Sequence, residues 1–202
     1  MSLQPLIDEI IDRNDFSEKR VGIMLSGGLD SGVLFFHLAK KVGPRLMAFT
    51  VPRSENSMGH ALRVSKAVCE RLKYPTIEPV AAGNPEMHHS QQVASGVERV
   101  FEADLADVVF LADNIVPSEL VLRDDPWAPE RIRVSIDGIF QPFFDLTKDK
   151  IVAAAFTDRL EFILAESHTC TERSEGRCNQ CWQCRERAWA FEKAGRPDPG
   201  VR

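Results

Sequence analysis

The sequence predicts an α/β fold on a parallel sheet, Rossmann-like and three-layered, with a small cysteine-rich C-terminal tail. Three observations predict it. Apolar runs of strand length alternate with stretches of helical periodicity from Val21 to Ala112. The first run ends at a Ser-Gly-Gly turn that opens a helix. Four of the five cysteines fall between Cys170 and Cys184. Strands that alternate with helices pair in parallel through right-handed crossovers, with helices on the sheet faces.

The elements follow in order. Leu6 to Ile11 predicts a short opening helix. Val21 to Leu25 is a continuous apolar run, the pattern of a strand buried on both faces. A helix follows to about Lys41. Gly43-Pro44 breaks it, and Arg45 to Thr50 predicts a second strand. Leu62, Val64, Ala67, Val68 and Leu72 share a helical face within a helix from about Gly59 to Leu72. Thr76 to Val80 predicts a third strand, and 81–90 a loop. Another helix runs to about Leu105, before a fourth strand at Val108 to Ala112. Residues 115–141 are rich in Pro, Asp and Arg. They read either as a mobile cover over the cleft or as a surface excursion. A helix follows Gln141 to Val152, with Asp145 or Thr147 as its cap. The last helix contains Arg185 to Phe191.

Ligands of such sheets bind outside the carboxyl ends of the strands. The first of those ends is Ser26-Gly27-Gly28-Leu29-Asp30-Ser31. Gly27 and Gly28 let the chain curl and leave no side chain in the way of an oxyanion. Ser26 and Ser31 add hydroxyl donors. The helix that starts here adds its N-terminal partial positive charge, worth up to ~2 kcal/mol. A turn of this kind points main-chain N–H groups at one anion. Asp30 repels phosphate, which makes sense if it holds Mg²⁺. The plainer reading is that Asp30 or Ser31 caps the helix. Asp113 and Asn114, at the end of the fourth strand, read equally as ligand contacts or as caps.

Other phosphate motifs are absent. There is no Gly-Lys pair for a Walker-type loop and no G-x-G-x-x-G. The segment is off register for a G-x-S-x-G nucleophile elbow. What remains resembles the pyrophosphate-binding loop of the N-type ATP pyrophosphatases. That resemblance implies an adenine nucleotide alpha hydrolase-like fold and cleavage of ATP between its α- and β-phosphates.

The cysteines follow C-x7-C-x2-C-x2-C: Cys170, Cys178, Cys181 and Cys184. Two C-x2-C steps put thiolates on adjacent tight turns, which suits a closed tetrahedral Zn²⁺ site. A disulfide and a four-sulfur iron–sulfur cluster are the alternatives, and His168 is close enough to replace Cys170. Cys69, alone in a helix, reads as a small buried apolar residue. The expected division is a nucleotide domain over 1–160 and a zinc tail over 161–202 packed on it.

Bulk properties bound the function. The chain has 202 residues, 44% hydrophobic and 27% charged, as expected of one ordinary globular domain. A net charge of −5 argues against a broad grip on nucleic acid. No apolar stretch reaches the ~20 residues that a membrane span needs. Met1 to Arg20 is mixed and partly acidic, unlike a secretory signal, so the cytoplasm is the expected compartment.

A sharper resemblance comes from the order of four segments: S-G-G-L-D-S, P-x-x-x-L-T-K-x-x-I-V, the four-cysteine tail and A-F-x-x-A-G-x-x-D-P. Together they resemble the 7-cyano-7-deazaguanine synthase family, over residues 21–50 and 141–200. The resemblance implies ATP-dependent conversion of 7-carboxy-7-deazaguanine and ammonia into the nitrile, one structural zinc and a homodimer. It implies that Ser26, Gly27, Gly28, Leu29, Asp30 and Ser31 hold ATP phosphates and Mg²⁺. Phe49 and Thr50 would flank adenine, and Lys148 would stand near the pyrophosphate; Lys148 also reads as a solvated helix-end lysine. The middle departs from the pattern. Of the family's D-x-G-Q-x-H segment only His60 is left, and its V-P-x-R-N and Y-P-D-C-R segments have no counterpart. Two rivals remain: an adenylating enzyme for another carboxylate, peptide or tRNA, and a non-catalytic nucleotide-binding subunit.

Overall fold

A computed structural model describes residues 1–53, 56–87, 89–120 and 133–200 of the chain. Its centre is a five-stranded parallel sheet of order β3-β2-β1-β4-β5. The strands are β1 (Val21–Met24), β2 (Met47–Thr50), β3 (Val80–Ala81), β4 (Val108–Phe110) and β5 (Ile139–Phe140). The helices are α1 (Gln4–Asn14), α2 (Leu29–Val42), α3 (Ser57–Leu72), α4 (His89–Glu102), α5 (Lys148–Thr157), α6 (Glu161–Glu166) and α7 (Trp182–Lys193). β1 lies centrally, with Gly22 opposite Met47 on one side and Val109 on the other. That placement explains why its four residues are all buried.

The period-2 alternation of the strands separates two cores. Val21, Ile23, Ala48, Val108 and Phe110 point into the larger, which α1, α2, α3, α5, α6 and α7 complete. Met24, Phe49 and Val109 point into the smaller, against Val97 and Val100 of α4. Helices therefore cover both faces, which is the expected three-layer α/β architecture. Ile163, Leu164, Ala190 and Phe191 of the C-terminal segment belong to the larger core.

Differences from the sequence reading are local. α1 runs longer than expected because Pro5 suits the first turn of a helix. The third strand is only Val80–Ala81. The residues before it are held otherwise, with Ser65 Oγ donating to the Ile77 carbonyl at 2.5 Å. β5 and α6, two and six residues long, are too short to leave a periodic signal in the sequence. Thr147 is the residue before α5, but its side chain makes no cap bond. Asp145 instead pairs with Arg133 at 2.5 Å. Of the expected cover at 115–141, residues 121–132 lie outside the described residues. No described helix is long and apolar enough to cross a membrane.

Candidate active site

The turn between β1 and α2 is built as its residue types demand. Gly27 adopts φ +76°, and a Cβ there would lie 2.5 Å from the His60 carbonyl carbon and 2.7 Å from the Ala61 nitrogen. Only glycine lets the turn sit against the start of α3. Ser26 and Ser31 brace it from inside, their hydroxyls 3.0 Å apart. The Ser26 amide donates to Ser31 Oγ at 3.3 Å and the Gly28 amide to Ser26 Oγ at 3.2 Å. Gly28 is the residue before α2, and it carries no side chain to cap that helix. An α-helix cannot pair its first-turn amides within itself, so those of α2 suit an anion held at the turn. Leu29 is itself buried, 2% exposed, so it can offer a ligand only its main chain.

The second strand end is less open. The Phe49 ring is fully buried and crosses β1 at Gly22, where a Cβ would lie 2.6 Å from Phe49 Cε2. Thr50 Oγ1 donates to the Leu25 carbonyl at 2.6 Å and is also buried. Both side chains serve the fold, which leaves the main chain to meet any adenine. Arg53, just beyond β2, is exposed and within electrostatic reach of Asp113. Asp113 accepts a hydrogen bond from Gln141 Nε2 at 2.8 Å.

Lys148 opens α5 and is not solvated, being 4% exposed. Its Nζ lies 2.9 Å from Asp30 Oδ2 and 2.6 Å from Glu186 Oε2. Asn114, fully buried, donates from Nδ2 to Glu186 Oε1 at 3.3 Å. Helices α2, α5 and α7 and the end of β4 thus deliver one charged network to the carboxyl edge of the sheet. Sequence reasoning singled out Asp30, Asn114 and Lys148 and missed Glu186. A signal existed: Glu186 sits midway between Trp182 and Ala190, four residues from each, on the stripe α7 buries. A glutamate in an apolar stripe is rarely there without a partner.

The back of the turn rests on two histidines. His60 and His168 stack with ring centroids 4.0 Å apart. Burial, with His168 and Arg63 beside it, holds His60 below its ordinary pKa, and Arg63 Nη2 donates to its Nδ1 at 2.7 Å. His168 Nε2 lies 2.9 Å from the carbonyls of both Cys170 and Arg173, which marks it as the protonated nitrogen. The His168 amide donates to the Gly27 carbonyl at 2.9 Å.

Cys170, Cys178, Cys181 and Cys184 bring their sulfurs within 4.8 Å of one another, and all four are free thiols. A tetrahedral zinc with Zn–S of ~2.3 Å needs sulfurs about 3.8 Å apart, and Cys170 and Cys181 are at 4.0 Å. Asn179 adopts φ +59°, which turns the amides of Cys181 and Gln180 onto Cys178 Sγ at 3.2 and 3.4 Å. Those bonds bring the Cys178 thiol down to about 6. Burial pushes Cys184 up to about 12, a penalty that a bound cation would reverse. The donor set fits zinc. Cys69 is buried in α3, as its position predicts.

The fold and the turn define a class: an α/β nucleotide-binding protein of the PP-loop type. The chain belongs to the asparagine synthase family, whose model matches residues 2–187. The chain is also similar in structure to an NH3-dependent NAD synthetase from Campylobacter jejuni in complex with nitrate. That likeness has a TM-score of 0.50 at 17% identity, over 83% of this chain and 79% of the other; it supports the fold. No curated protein matches the chain in sequence.

Proposed function

We propose that the protein is an ATP-dependent ligase that adenylates a carboxylate and passes the acyl group to ammonia, releasing AMP and pyrophosphate. The observation that carries this reading is the pairing of Asp30 and Lys148 at the mouth of the Ser26–Ser31 turn. Phosphate-binding amides, a carboxylate able to hold a divalent cation and a lysine converge there. Membership of the asparagine synthase family supports the reaction class.

In this reading Ser26, Gly27, Gly28, Leu29 and Ser31 grip the phosphates through amides and hydroxyls. Asp30 would hold Mg²⁺ as a hard carboxylate donor, and the ion when bound would supply positive charge for the departing pyrophosphate. Lys148 supplies a fixed cation for the same charge, in a site already organised before reaction. A carboxylate oxygen of the acceptor attacks the α-phosphorus, and the bond to the β-phosphate oxygen breaks. Ammonia then attacks the acyl carbon, loses a proton, and AMP leaves. The protein contributes mainly position and charge. Arg53 is the candidate partner for the acceptor's carboxylate. The four cysteines would hold a structural zinc.

The acceptor we propose is 7-carboxy-7-deazaguanine, carried on through the amide to the nitrile by a second adenylation of the amide oxygen. The ordered segments around Ser26, Lys148, the cysteines and Asp198 support it. In the same reading the protein acts as a cytoplasmic homodimer. The test is purified protein with ATP, Mg²⁺, ammonium and single carboxylates, read by mass spectrometry. AMP and pyrophosphate formed only with the deazaguanine acid is the expected result. Turnover with another carboxylate replaces the acceptor, and tight ATP binding without turnover on any carboxylate replaces the enzyme with a binding subunit.

A further inference from the structure

Lys148 and Asp30 have separate tasks in the reading above, yet here they hold each other at 2.9 Å. For Asp30 to take up the cation that accompanies the nucleotide, it must give up its share of Lys148. A buried ammonium left without a counter-charge is unfavourable, so a two-member pair would resist that exchange. The chain supplies a third member. Glu186 is fully buried and closer to Lys148, at 2.6 Å. Its other oxygen is fixed by Asn114 Nδ2 at 3.3 Å. The lysine is thus anchored from the core side by Glu186 and meets Asp30 on the side of the turn, where the Asp30 side chain is 16% exposed.

We infer that Glu186 is a positioning residue: it keeps Lys148 charged and in place when Asp30 turns to the cation. The inference rests on the adenylating reading. Without the charge at 186, Lys148 leans harder on Asp30, 2.9 Å away, and holds it back from the cation. Cation-dependent nucleotide binding then weakens, although the Glu186 side chain is itself fully buried. Sequence position adds to the case. Glu186 follows Cys184 by two residues on α7, so the helix that carries the cysteine site also carries the counter-charge.

The experiment is calorimetric binding of an ATP analogue with a methylene group between its α- and β-phosphorus atoms, titrated at a series of Mg²⁺ concentrations. Glu186→Gln is expected to raise the Mg²⁺ concentration for half-maximal binding by about tenfold, with Mg²⁺-free binding unchanged. In turnover it should lower kcat and leave KM for the acceptor within about twofold. Asn114→Ala should shift the Mg²⁺ requirement the same way by less, and Glu186→Asp should recover part of it. These two variants decide the matter if Glu186→Gln fails to fold. An unchanged Mg²⁺ dependence in the folded variants overturns the inference. A wild-type protein that shows the titration but never forms AMP and pyrophosphate overturns the adenylating reading and leaves the positioning role standing.

Discussion

The amide of His168 donates to the carbonyl of Gly27 at 2.9 Å, and Cys170 follows two residues later. The proposed phosphate loop and the four-cysteine cluster are therefore joined by a single short stretch of main chain. The His168 ring strengthens the joint by stacking on His60 while it bonds to the Cys170 carbonyl.

This joint predicts that metal loss reaches the nucleotide. Binding energy at such a cluster is folding energy. Chelation, or Cys181→Ser, should lower the melting temperature by about 5–10 °C and weaken ATP binding. Metal analysis should find one zinc per chain. A metal-free protein that binds ATP as well as the loaded one would break the link.

Gly27→Ala should fail at the turn itself. The added methyl meets main-chain atoms of α3 at 2.5 and 2.7 Å, at a φ of +76°. The expected cost exceeds ~1 kcal/mol in stability, with nucleotide affinity reduced at least tenfold. Thermal melts with and without ATP measure both.

Asp30 and Lys148 should separate chemistry from stability. Asp30→Asn is expected to abolish AMP release and keep the fold. Lys148→Met leaves the buried Glu186 carboxylate and the partly buried Asp30 carboxylate without their shared cation, and should cost ~3 kcal/mol. Lys148→Arg keeps the charge and should recover much of the stability without the turnover. Urea unfolding and AMP release measure the two effects.

His37 makes stability depend on pH. Burial holds its pKa at about 4, although Asp158 pulls the other way, with Nε2 of the ring 3.4 Å from Asp158 Oδ2. In the unfolded chain it titrates near 6.5. Between these values the unfolded state binds more protons. Stability is therefore full above the unfolded pKa and falls as pH drops through that window, by at most about 3 kcal/mol. His37→Gln, which can still meet Gln4, should flatten this part of the pH–stability curve.

Arg187 should be the least replaceable residue of the tail. It is fully buried and reaches Asp198 from Nε at 2.8 Å and from Nη2 at 2.9 Å. It also donates to the Leu164 carbonyl at 2.7 Å and to Ser167 Oγ at 2.7 Å. Burial alone would raise Asp198, but Arg187 and Arg177 hold it below the usual carboxylate range. Arg187→Ala leaves Asp198 to Arg177, removes the donor from the Leu164 carbonyl and Ser167 Oγ, and should cost ~3 kcal/mol; Arg187→Lys should not restore the paired bonds. Unfolding curves of both variants check this.

The parallel α/β class, the strand–turn–helix at Val21 to Ala39, the gathering of four thiols and the burial of Cys69 are all legible in the order of residues. These follow from local causes: apolar periodicity, glycine's access to positive φ, and short cysteine spacing. The burial of Lys148 between Asp30 and Glu186, the place of the Phe49 ring in the core and the brace of His168 on Gly27 emerge from the packed fold alone. The three members of the lysine network lie on α2, α5 and α7, far apart in the chain. Such contacts depend on how helices pack across the sheet edge, and the pattern within any one segment carries no record of what its neighbour brings to meet it.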